Sequence, residues 1–101
     1  MRDVEPTHIL IVPPTGILEI VHTDHGIDVP GTLADRCEGV LVTVHHEDLE
    51  AAWLVDDAGQ LNPRARWVWH QLTGANMVFT GHVIFTGVDT HTMVDLMSRL
   101  S

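Results

Sequence analysis

The residues best suited to contact or chemistry lie in one run, Asn62-Pro63-Arg64-Ala65-Arg66-Trp67-Val68-Trp69-His70-Gln71. At helical spacing Ala65, Val68, Trp69 and Leu72 form an inward face, while Arg64, Trp67, His70 and Gln71 neighbour one another on a different side. Arg and Trp dominate the energetic centres of protein interfaces. Arg64, Arg66, Trp67 and His70 are therefore the candidate binding residues, with Asn62 beside them. An exposed Trp next to Arg serves either a flat contact surface or the wall of a ligand pocket. The structural alternative is that Trp67 packs beneath a loop and Asn62 merely caps the helix by accepting hydrogen bonds from its free amides.

Eight histidines in 101 residues invite a metal hypothesis. The candidates are His22 and His25, the pair His45-His46, and the isolated His70, His82 and His91. A zinc site needs three or four converging ligands, and neither an H-x-x-x-H nor a C-x-x-C spacing is present. No metal or other cofactor is expected. Cys37, the single cysteine, stands beside Glu38 and near Asp35, both of which raise a thiol's pKa, so it reads as a small half-buried residue rather than a nucleophile. Asp56-Asp57 and Glu47-Asp48 are paired carboxylates. Neighbours along a strand point to opposite faces, so they read as turn and solubility residues. Neither standard phosphate-binding glycine loop occurs, and no catalytic residue is assigned.

The elements that position these groups follow from periodicity and punctuation. His8–Val12 and Ile17–His22 are apolar runs separated by Pro13-Pro14-Thr15-Gly16, which predicts a hairpin. Thr32-Leu33-Ala34-Asp35 has the spacing of a capping box and predicts a helix from Thr32 to a left-handed Gly39. Strands are expected at Val40–Val44 and Ala51–Val55. Asn62-Pro63 opens a helix that ends near Gly74, since proline at the first helical position gives up a donor that has no partner there. Met77–Gly87 alternates, with Met77, Phe79, Val83 and Phe85 on one face and Val78, Thr80, His82, Ile84 and Thr86 on the other. A second capping box, Thr92-Met93-Val94-Asp95, precedes a stripe of Met93, Leu96, Met97 and Leu100. The order β-β-α-β-β-α-β-α, with hairpins in place of βαβ units, predicts an α+β fold: a mainly antiparallel sheet with short helices packed on one face.

The length allows one core, so a single domain over 1–101 is expected, its packed part at about 8–100. With 45% hydrophobic and 19% charged residues the chain is globular in composition. The longest apolar runs, such as Gly39–Val44, are too short for a bilayer, and the first residues lack the apolar centre of a signal peptide. A lone cysteine fits a reducing compartment, so the cytoplasm is expected. Fourteen acidic residues face five basic ones, all arginine, for a net charge of −9. Such a surface repels phosphate backbones, which argues against direct nucleic-acid binding.

The order of short motifs has a familiar form. Val12-Pro13-Pro14-Thr15-Gly16, the Thr32-Leu33 helix start, Asp57-Ala58-Gly59-Gln60-Leu61-Asn62-Pro63-Arg64-Ala65 and Gly81-His82-Val83-Ile84 together resemble the domain-of-unknown-function 3846 family, small proteins typical of bacteriophages, plasmids and actinobacteria. The resemblance spans about residues 8–98. It departs from the family pattern at Arg36-Cys37-Glu38-Gly39, where a Gln-containing stretch with a double glycine is usual. It implies a phage-type accessory protein in the host cytoplasm and supplies no catalytic residue. The leading expectation is a non-catalytic module that binds a host or phage protein. Three tryptophans and open strand edges add the expectation of a homodimer. The alternative is a module that sequesters a nucleotide-like ligand with Arg64, Arg66 and Trp67. A histidine-metal hydrolase ranks third.

Overall fold

The apolar runs on either side of the Pro13–Gly16 turn pair as a hairpin, β1 (His8–Val12) against β2 (Glu19–His22). The computed structural model describes residues 6–36, 38–55 and 59–100. In chain order there follow α1 (Val29–Ala34), β3 (Val40–His46), β4 (Leu49–Val55), α2 (Pro63–Thr73), β5 (Val83–Thr86) and α3 (Thr90–Leu100). The strands form one antiparallel five-stranded sheet in the order β2-β1-β5-β4-β3. This is the α+β class and element order that periodicity predicts.

The helices do not share one face, which corrects the one-sided packing expected above. Leu10, Val12, Ala51, Trp53, Val83 and Phe85 pack with residues of α2 and α3. Ile9, Ile11, Ala52, Leu54 and Ile84 pack on the opposite side with Ile27 and with Leu33 of α1. The cause lies in the inner strands. Ile9–Val12, Ala51–Leu54 and Val83–Phe85 are apolar without interruption, and such strands must be covered on both faces.

Two boundaries also move. α1 is capped by Asp28, whose carboxylate accepts from the Gly31 amide at 3.2 Å, and Thr32 lies inside the helix with its hydroxyl donating to the Asp28 carbonyl. The helix ends at Ala34, so Gly39 is no helix cap. Its backbone lies against Val55, where a β-carbon would come within 2.4 Å of the Val55 oxygen. α3 begins at Thr90, and the Thr92 hydroxyl reaches back to the Asp89 carboxylate.

The alternating run 77–87 forms a strand only over its last third. Before it, Leu61 and Thr80 make an isolated bridge and the Gly81 amide donates to the Gln60 carbonyl at 2.7 Å. Phe79 and Phe85 are both buried on the expected side. With Trp53 and Trp69 they form the aromatic centre of the core, Trp53 lying edge-on to Phe79 at 4.7 Å between ring centroids.

Candidate functional site

The run 62–71 forms the start and middle of α2, and its candidate residues divide into two groups. Asn62 is 1% exposed. Its Oδ1 accepts from the Ala65 amide at 3.0 Å, and its Nδ2 donates to the carbonyls of Val12 and Gly81, each at 2.8 Å. It caps α2 and ties β1, α2 and the approach to β5 together at one point. Arg64 also turns inward, donating to the Pro13 carbonyl at 3.1 Å and the Gly16 carbonyl at 2.8 Å. It anchors the β1–β2 turn. Trp67 is half-buried against the core and lies beneath the Arg99 guanidinium of α3, 5.0 Å from the ring centroid. Arg99 is held there by Gln71 and Asp95.

Arg66 and His70 make the second group, exposed one turn apart on α2. Arg66 alone among the described arginines has neither an ion pair nor a side-chain hydrogen bond, since Arg36 pairs with Glu19 and Arg64 and Arg99 are engaged as above. It borders a cleft of about 190 Å³ lined by Leu61, Asn62, Pro63, Arg66, Val78 and Phe79. Phe79 is buried and supplies the floor, while Leu61 is 65% and Val78 67% exposed at the rim.

The sheet register extends this surface. Val40 pairs with Val55 where β3 begins and β4 ends, and these residues are 72% and 44% exposed. Val55 follows Trp53 by two positions, hence on the same face, and Trp53 lies edge-on to Phe79 in the cleft floor. Four exposed aliphatic residues thus lie toward one end of the sheet. Next to them, β3 is an edge strand that pairs only with β4. Sequence reasoning passed over these positions. The available signal was Val78, which with Ile84 is apolar on the more polar side of an alternating run.

A wider cleft, about 640 Å³, lies elsewhere, on the α1 side. Glu47, Asp48 and Glu50 line it with His8 and His45, without a Lys or Arg. His8 Nε2 lies 2.9 Å from the Val88 carbonyl, and His45 lies 3.8 Å from Glu50. The remaining histidines are spread over β2, the following loop, the end of β3, α2, the approach to β5 and α3. Among the described residues no three His, Cys, Asp or Glu side chains group so as to hold a metal. His82 is half-buried, and burial is the main reason its pKa lies below the usual histidine value. The Arg36 charge pushes the same way and Glu19 opposes it. Cys37 and Asp56-Asp57 lie outside the described residues. Among those described, no helix is long and apolar enough to cross a membrane. Comparison with family models, curated proteins and solved structures gives no match.

Proposed function

We propose that the chain is a protein-binding module whose contact surface is the open apolar end of its sheet. The observation that carries this reading is the exposure of Leu61 and Val78 at the rim of a cleft floored by buried Phe79, with Val40 and Val55 also exposed where β3 begins and β4 ends. Aliphatic residues exposed singly are ordinary, whereas a rimmed apolar group marks a contact site. The neighbouring edge of β3 offers unpaired backbone donors and acceptors, the usual substrate for strand addition by a partner. The phage-type accessory role, with a host or phage protein or a second copy as partner, adds the motif resemblance to this surface.

The nucleotide-sequestering alternative gains no comparable support. Arg64 and Arg66 border different clefts, Trp67 is covered by Arg99, and the 640 Å³ cleft carries carboxylates that repel phosphate.

A photo-crosslinking residue placed at Leu61 or Val78, in cells that carry the protein naturally, tests the module reading. A discrete protein adduct is expected at these positions and none at His25, which is exposed in the polar loop after β2. An adduct of two copies would identify the partner as the chain itself. Equal adducts at all three positions, or none at Leu61 and Val78, would contradict the reading.

A further inference from the structure

We infer that the cleft floored by Phe79 receives one apolar side chain of a partner protein, and that Arg66 pairs with a carboxylate next to that side chain. The inference rests on the protein-binding reading and specifies the partner's chemistry.

Size decides the kind of occupant. Clefts that enclose a free small molecule run to about 300–1,000 Å³, and this one offers about 190 Å³, the space of a single aliphatic or aromatic side chain. Its walls are formed in advance. Phe79 is fixed edge-on to both Trp53 and Trp69, and Pro63 is the first residue of α2. An anchor entering such a site spends little ordering entropy on the receiving side.

Charge decides what accompanies the anchor. The whole chain, at −9, draws basic partners from a distance. The cleft reverses that preference locally, because among the described residues its one ionic group is the Arg66 guanidinium, which has no ion pair there. A partner that covers the cleft removes water from this guanidinium, and an uncompensated desolvated charge is costly. A carboxylate, which can meet the guanidinium fork with two hydrogen bonds, compensates it, and a basic side chain cannot.

The test is selection of a random linear-peptide display library against the immobilised full chain, in parallel with Arg66→Glu and Arg66→Gln. The wild type should enrich peptides with Leu, Ile, Met or Phe adjacent or next-but-one to Asp, Glu or a C-terminal carboxylate. Those peptides should bind Arg66→Glu about tenfold more weakly or worse, as expected for a broken interfacial charge pair, and Arg66→Glu should itself enrich Lys or Arg in the acid's place. The double variant Leu61→Asp/Val78→Asp should abolish binding. All three positions are exposed or at the rim, and unchanged melting temperatures would verify folding; Arg66→Gln serves if the charge reversal does not fold. Apolar peptides without an acid preference, or peptides that bind Arg66→Glu and Arg66→Gln as well as wild type, would overturn the carboxylate pairing. Binding insensitive to the double variant, or no enriched peptide at all, would overturn the anchor site. None of these failures touches the crosslinking result, which judges the module reading separately.

Discussion

An aspartate at position 62 would cap α2 as well as asparagine does, yet it would set a carboxylate against two carbonyl oxygens. Both Nδ2 hydrogens of Asn62 are committed to Val12 and Gly81 in a buried position. Asn62→Ala should therefore cost about 2–4 kcal/mol, one lost cap plus two unsatisfied carbonyls, and Asn62→Asp should cost no less. Urea denaturation at neutral pH checks this; a wild-type midpoint for Asn62→Asp would reduce the residue to a cap. The cap was legible from Asn-Pro before a helical pattern. The clamp was not, because its two acceptors come from segments 50 and 19 residues away. Trp67 poses a similar question. Half-buried beneath Arg99, it should behave as a packing residue: Trp67→Ala should destabilise by about 2–3 kcal/mol, somewhat under the cost of a fully buried Trp. Denaturation of that variant at wild-type stability would return Trp67 to the surface.

At the scale of elements, the second core side depends on very little. α1 has six residues, and Leu33 is the one it fully buries. Leu33→Ala should cost about 2–5 kcal/mol and should speed amide exchange in α1 more than in α2, whose contacts lie across the sheet. Equal acceleration of both helices would argue against two separate core sides. The strands, the two longer helices and their order were readable because each carries a strong period and a turn or cap at its ends. The side on which α1 packs was not readable from caps. It was written in the uninterrupted apolar stretches of β1, β4 and β5, which a one-sided sheet does not need. The boundary of β5 was lost for another reason: alternation persists through 77–82, but the bridge from Thr80 to Leu61 and the pull of Asn62 on Gly81 divert the chain before it can pair as a strand.

For the whole molecule, stability should depend on pH through His82. Its folded pKa lies below the unfolded value of about 6.5, mainly because protonation would charge a half-buried ring. The unfolded chain then binds the proton more readily. Stability is full above about pH 6.5 and falls as pH drops through that value toward the depressed folded one. Denaturation midpoints should decline between about pH 7.5 and 5.5, and His82→Gln should flatten part of that decline; an identical slope in the variant would contradict the assignment. Asp89, whose carboxyl is held low chiefly by the Thr92 hydroxyl, acts in a separate and more acidic range, where stability is lost as pH falls through its depressed value.

The contact surface is itself a property of the whole molecule, since it joins the start of β3, the end of β4, the entry to α2 and the approach to β5. Hydrogen–deuterium exchange, comparing the free chain with its complex with the protein captured from Leu61, tests that surface most directly. Protection is predicted along the β3 edge, in residues 40–44, and around residues 61 and 78–80, with none in α1. Protection confined to the acidic cleft, at His8, His45 and residues 47–50, would contradict the account.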